Sequence, residues 1–360
     1  MMTSILGRYF FRRYTLTTMW FLLGVTGIVF LADFSETARR FSELDGYSVL
    51  GAVYLTGLRV PQLIIQTVPF IVLFVGMTVL IALNRKYELV VTRAAGISVW
   101  QFMTPFLTGA FLVGLATVLV LNPLSAWGQR QALTLENGWR KTDSSRAAFL
   151  PWIRQITKND DVIIGAKTTL EGGTLMVDVA LFHFDKAGNI ILRQDAASAK
   201  LENGYWLLKD VNETRPGEIP QHLEELKLPT NLKPEYMEER LAQPESVAFY
   251  EISRRIEIAR SYGIPTRALE TQFHSLLSLP FLLVAMTMIA ATVSLKFSRM
   301  NQSRSVILGG ILSGFVLYVV TVLVKAFGSS GVVPPVVAVW IPVIVATALG
   351  ATILLHQEDG

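Results

Sequence analysis

Six stretches of this chain are too long and too apolar for ordinary soluble helices, and a polar block of about 150 residues separates the third from the fourth. A helix crosses the hydrocarbon layer with ~20 largely uncharged residues, so this pattern implies a membrane bundle carrying one extramembrane domain. The spans are expected at 15 to 33, 60 to 83, 101 to 122, 275 to 296, 305 to 327 and 333 to 355. Composition agrees, with 51% hydrophobic and 17% charged residues against ~25% charged in soluble domains. A length of 360 residues leaves room for the bundle and one further domain. The expected division is 1–123 (spans one to three, with a loop at 84–99), 124–270 (the inserted domain and a helix) and 271–360 (spans four to six). The formal charge of +4 comes from Lys and Arg beside the apolar segments, the pattern of membrane anchoring rather than of nucleic-acid binding. Cysteine is absent, which excludes disulfides, thiolate nucleophiles and Cys-based metal sites.

Arg8, Arg12 and Arg13 precede the first apolar run, which continues past 15 residues without a small-x-small cleavage site, so a retained anchor is expected. Tyr9, Phe10 and Phe11 beside those arginines suggest an interfacial lead-in helix. Positive charge in short loops marks the cytoplasmic side. The N-terminus, the loop with Arg85, Lys86 and Arg93, and the loop with Lys296, Arg299 and Arg304 share one side if both termini are cytoplasmic. The polar block then lies outside, which in a double-membraned bacterium is the periplasm.

From about Phe149 to Leu228 the long apolar runs give way to short alternating ones such as Leu175, Val177, Val179 and Leu181. Turn signals recur at Glu171-Gly172-Gly173, Asp185-Lys186-Ala187-Gly188 and Asn203-Gly204. Period two with close turns predicts an antiparallel sheet, and Asn-Gly is the strongest hairpin signal. The alternating residues are expected on one inward face. After Pro244 a helix is expected with Phe249, Ile252, Ile256 and Ala259 on one stripe, ended by Gly263 and Pro265. Thr266 is placed to cap the helix leading into span four.

Several chemistries are missing. No Gly-x-x-x-x-Gly-Lys-Ser/Thr loop occurs, which excludes a nucleotide-hydrolysing subunit of the usual kind. There is no His-Glu-x-x-His and no Gly-x-Ser-x-Gly elbow, and the four histidines are scattered. Glu270 and His274 stand four apart on a helix, a spacing that fits a surface pair better than a metal site. No metal, cofactor or catalytic residue is assigned.

The most informative short segment is the loop Asn84-Arg85-Lys86-Tyr87-Glu88-Leu89-Val90-Val91-Thr92-Arg93-Ala94-Ala95-Gly96. It has helix formers, one acid among bases and a Gly where a helix would stop. A short helix there, presenting Glu88 and Leu89, can insert into a groove on a partner, or the loop can simply set topology.

Glu88-Leu89-Val90-Val91-x-x-x-Ala95-Gly96 resembles the coupling helix of the lipopolysaccharide export permeases, the paired F and G subunits of the Lpt ABC transporter. Gly314-Phe315-Val316-x-Tyr318-Val319, Gly331-x-x-Pro334-Pro335 and Ile341-Pro342 resemble that family's last two spans. The order of three spans, β domain and three spans is also the family's plan, and the match is closer to the G subunit. The implied fold is an integral membrane α-helical bundle of six transmembrane helices with an inserted periplasmic, jelly-roll-like antiparallel β domain. The implied role is a non-catalytic permease subunit that extracts lipopolysaccharide from the bacterial inner membrane and passes it to a periplasmic bridge. Alternatives are the paralogous F subunit, a membrane-bound lipid-modifying enzyme, or an envelope scaffold.

The implied partners are a cytoplasmic ATPase dimer (LptB-like), a paralogous permease (LptF-like), bridge proteins (LptC- and LptA-like) and lipopolysaccharide, with no nucleic acid. By the resemblance, Arg85, Lys86, Tyr87, Glu88, Leu89 and Arg93 couple to the ATPase. Lipid would enter between the first and fifth spans, where Leu22, Val25, Ile28, Val29, Phe315, Val319 and Leu323 are the expected apolar wall, with helix packing as the plainer role. Where family members carry lysines in and beyond span one, this chain has Phe30 and Thr37, so Arg39, Arg40 and Arg130 are the expected phosphate contacts. Lys325 lies inside a span at a cost of ~3 kcal/mol. It either faces the lipid path or snorkels to the boundary.

Overall fold

The structure, a computed structural model, describes residues 5–43, 47–140, 153–156, 161–170, 174–185, 189–202, 204–230, 244–261, 265–295 and 304–359. Two compact units are present: 1–142 with 244–253 and 267–360, and 143–243 with 254–266.

The first unit holds α1 (Ile5–Phe41), α2 (Val49–Arg85), α3 (Glu88–Ala94), α4 (Val99–Ala116) and α5 (Asn122–Arg140). Beyond the insertion come a short 3₁₀ turn (Pro244–Ser246) and the start of α6 (Phe249–Ser261), then α7 (Arg267–Ser294), α8 (Arg304–Ser330) and α9 (Pro335–Asp359). Among the described residues six helical runs are long and apolar enough to cross a membrane: Ile5–Phe41, Val49–Arg85, Val99–Glu136, Arg267–Ser294, Leu308–Ser330 and Pro335–His356. They fall where the apolar stretches were expected, and the first four run longer. At 1.5 Å per residue, the 37 residues of α1 and of α2 reach roughly 55 Å, well beyond a hydrocarbon core of ~30 Å. The segment Tyr9-Phe10-Phe11 is therefore the first part of α1 rather than a separate interfacial helix, and Phe10 is fully buried. Of the loop after span four, Lys296 and Arg299 lie outside the described residues.

α2 and α7 form the centre. In their most apolar windows, 61% and 67% of residues are buried, against 6% for α1 and 11% for α8. α1 leans on α2 and α4, α5 on α2, and α8 and α9 on α7. Small residues permit these approaches. A Cβ on Gly76 would come 2.8 Å from the Ala290 Cβ, one on Gly114 would come 2.5 Å from the Pro280 Cα, and one on Gly128 would strike the Leu58 carbonyl. Between α4 and α5, Thr117–Leu121 forms a π turn, with the Asn122 N–H donating to the Thr117 carbonyl five residues back. The turn leaves the Asn122 side chain buried, and its Oδ1 accepts from the Phe249 N–H at 2.8 Å. At the end where α1, α2 and α5 meet, Phe41, Leu55, Leu58, Ala132 and Trp139 make a compact cluster, joined by an Arg59–Glu136 ion pair.

Among the described residues the second unit contains six antiparallel strands in sequential order: β1 (Ile153–Ile156), β2 (Asp161–Leu170), β3 (Leu175–Phe184), β4 (Ile190–Glu202), β5 (Tyr205–Thr214) and β6 (Gln221–Pro229). This is a meander rather than a crossed jelly-roll order among the described strands. The β4–β5 hairpin forms where Asn-Gly was expected, with Glu202 opposite Tyr205 and Gly204 at φ 91°. Residues 171–173, 186–188 and 203 of the turn signals lie outside the described residues, as does Gly263. In the helix after Pro244, Ile252, Ile256 and Ala259 are buried as a stripe. Tyr205 donates to Glu202 at 2.6 Å, and that bond to a carboxylate holds the phenol above its usual pKa range.

The burial pattern departs from strict alternation. Val179 and Leu181 are buried, but on the other side of Asp178 the buried residue is Met176, while Leu175 and Val177 are half-buried. The same reversal occurs in β4 between Ala196 and Ala199 and in β5 between Leu208 and Val211. Asp178 and Asp210 have φ of 53° and 57°, and both fall on one row across the sheet with Ala197 between them. One left-handed residue turns the following side chains to the opposite face, so both halves of each strand reach the single core around Trp206. Aspartate tolerates this conformation better than most side chains. Asp210→Val is expected to destabilise the sheet by ~1–2 kcal/mol, and Asp210→Gly to match or exceed the parent; thermal unfolding of the purified chain with both variants checks the contrast.

Candidate functional site

α3 is the short helix expected from the loop at 84–99, here Glu88–Ala94. Its start is set by Tyr87 in the left-handed region at φ 60° and its end by Gly96 at φ 80°. Only Leu89 and Thr92 are buried in it. Arg85, Lys86 and Tyr87 are exposed, and Glu88 and Arg93 are half-buried. The expectation that Glu88 and Leu89 are presented together does not hold in this geometry. In a helix one residue apart means about 100° of rotation, so Leu89 turns into the bundle while Glu88 points toward α1. There Arg13 Nη1 lies 3.2 Å from Glu88 Oε1. The exposed apolar residue of the helix is Val91.

α1 divides into a fixed part and an outward part. Phe10 and Tyr14 are buried against Phe106, with ring centroids 5.6 and 5.9 Å away. Gly109 provides the space for Tyr14, since a Cβ there would come 2.7 Å from Cδ1 of that ring. Beyond this anchor Met19, Trp20, Leu23, Ile28 and Leu31 face outward, while Leu22, Val25 and Val29 are half-buried. α8 behaves similarly. Gly314 lies against Leu73 and Tyr318 against Phe70 of α2 at 4.6 Å, while Phe315, Val319 and Leu323 face outward. The expected wall residues thus divide by geometry into outward (Ile28, Phe315, Val319, Leu323) and partly packed (Leu22, Val25, Val29).

The expected phosphate contacts are exposed and already paired. Arg39 and Arg40 bind opposite oxygens of Glu36 at 2.7 and 3.1 Å, and Arg130 pairs with Glu251. Exposed pairs of this kind are weak, so a lipid phosphate can exchange for the carboxylate. Lys325 donates to Gln272 Oε1 on α7 at 2.8 Å. Its head therefore has an interhelical partner, which neither expected role included; the signal available was Gln272 in the polar first turns of the helix leading into span four.

This architecture has counterparts. A profile described as lipopolysaccharide export system permease LptF/LptG matches residues 8–356. The chain belongs to that family. A relative named lipopolysaccharide export system permease protein LptG, from Haemophilus influenzae (strain ATCC 51907 / DSM 11121 / KW20 / Rd), is 24% identical over 343 residues, covering 94% of this chain and 91% of the relative. As an LptF/LptG permease the chain is a multi-pass membrane protein and a transporter subunit rather than an enzyme. Its family places it in an export system with an ATPase and other Lpt proteins.

Gln272→Leu, which strands the Lys325 ammonium beside an apolar side chain, is expected to cost ~2–3 kcal/mol. The double variant Lys325→Met/Gln272→Leu should recover most of that loss, as read by thermal unfolding in detergent.

Proposed function

We propose that this permease is the G-type half of an ATP-driven exporter that lifts lipopolysaccharide out of the inner membrane. The observation that carries this reading is the uneven enclosure of the spans. α2 and α7 are surrounded, whereas α1 and α8 leave long apolar faces uncovered. Acyl chains need apolar walls and lipid phosphates need cations; α1 combines an outward face at Met19 to Leu31 with Arg39 and Arg40 beyond it. In this reading the second six-span permease stands across from α1 and α8, and cargo enters between them.

Both termini and α3 lie in the cytoplasm, and the β domain lies in the periplasm, because Arg8, Arg12, Arg13, Arg85, Lys86 and Arg93 cluster at the corresponding segment ends. The ATPase dimer docks on α3 through Glu88 and the exposed Tyr87 and Val91, and the bases Arg85, Lys86 and Arg93 flank that contact. Nucleotide-driven movement of α3 tilts the bundle and expels the lipid toward the bridge proteins. The likeness to a relative named LptG supports the G assignment.

Copurification in detergent should bring an ATPase and a second, F-type six-span chain. In that complex Glu88→Arg is expected to abolish ATPase association or to lower lipid released per ATP more than tenfold, and normal assembly with normal export would count against the docking role. Charge reversal at Arg39, Arg40 and Arg130 together should remove photocrosslinking to the lipid; crosslinking at the parental level would rule out these cations as phosphate contacts.

A further inference from the structure

Arg13 is 75 residues from Glu88 in sequence and belongs to a different helix. α3 is only seven residues long, too short to be stable without outside support. Its N-cap residue, Tyr87, sits in the left-handed region and makes no side-chain cap bond. α3 is held by Leu89 and Thr92, buried under it, and by the Arg13–Glu88 pair. Among the described residues Arg13 is the cation within ion-pair distance of Glu88, although Arg85 and Lys86 are much closer in sequence. Its guanidinium is itself positioned from α1. Nη1 donates to Tyr9 Oη at 2.8 Å, and the group lies 5.9 Å from the centre of the Tyr9 ring. The side chains of Arg13 and Glu88 are only 23% and 28% exposed, so water screens this pair less than those at Arg39 or Arg40.

We propose that Arg13 is a positioning residue that latches the short helix α3 to α1, so that displacement of α3 reaches the outward-facing helix directly. Arg13 immediately precedes Tyr14, the buried anchor of α1 against α4, and the exposed apolar face begins within two turns of it. A force on Glu88 is thus delivered beside the pivot of the helix that carries the uncovered surface. The transport part of this inference rests on the docking of an ATPase at α3; the latch itself does not.

The chain has no cysteine, so cysteines introduced at the exposed Leu16 and Val91 can carry spin labels without interference. In the full chain in lipid nanodiscs, a single narrow distance is expected. Arg13→Ala should broaden it, Arg13→Lys should keep it narrow, and the swap Arg13→Glu/Glu88→Arg should restore it. In the copurified complex, Arg13→Ala is expected to keep the ATPase bound while lowering lipid released per ATP about threefold, the scale of losing a partly exposed ion pair. A distance distribution in Arg13→Ala that superimposes on the parent's overturns the latch, and unchanged lipid release per ATP overturns its role in transport. If Glu88→Arg leaves both ATPase association and lipid release intact, the docking reading fails by itself, and the distances still decide the latch.

Discussion

Within hydrocarbon there is no water to satisfy a backbone amide and no hydrophobic gain in pressing one apolar helix on another. Cohesion then depends on how closely helices can approach, and here glycine sets that distance. Gly76 brings α2 against Ala290 of α7, Gly114 brings α4 onto Pro280, and Gly128 lets α5 touch the Leu58 backbone. These contacts gather the other helices around α2 and α7. α1 is fixed by Tyr14 beside Gly109, and α8 by Gly310 against Val293, Gly314 against Leu73 and Gly328 against Ala338, yet both keep much of their apolar surface outward. The shape that the proposed lipid path requires follows from where the small residues lie.

Polar groups are placed with comparable economy. Lys325 within a span finds Gln272, Arg59 finds Glu136, and Asn122 caps the chain at Phe249. Each joins separate helices or segments, so each stabilises an arrangement rather than a single element. The exposed arginines Arg39 and Arg40 instead share Glu36 on their own helix. A local, exposed pair of that sort costs little to open, as suits a cation proposed to exchange partners. The Arg13–Glu88 pair lies between these cases, part-buried and interhelical, which is why it can transmit position while remaining breakable.

The inserted sheet solves a different problem. A six-stranded meander has two faces, and a straight one would leave one of them uncovered. The row through Asp178 and Asp210 creases the sheet and exchanges its faces, so Met176, Val179, Leu181, Trp206, Leu208 and Val211 meet in one core. Residues of one alternating run therefore end in two environments, and the expectation of one inward face, based on period two, places Leu175 and Val177 on the wrong side of the crease.

Much of this protein was legible from its residues alone. Uncharged runs of span length, the interrupting block and the Asn-Gly hairpin fixed the number of spans, the insertion and the β character, because each depends on local chemistry that a short window contains. The helix at Glu88 was legible for the same reason, from its formers and its terminal Gly. What only the tertiary structure decided is where side chains meet across long separations: Arg13 with Glu88, Lys325 with Gln272, and Tyr14 with Phe106. Periodicity gives a residue's direction on its own helix but says nothing about which neighbour occupies that direction. The facing of Leu89, the split of α1 into anchored and outward parts, and the creased sheet all follow from packing partners that no local pattern encodes.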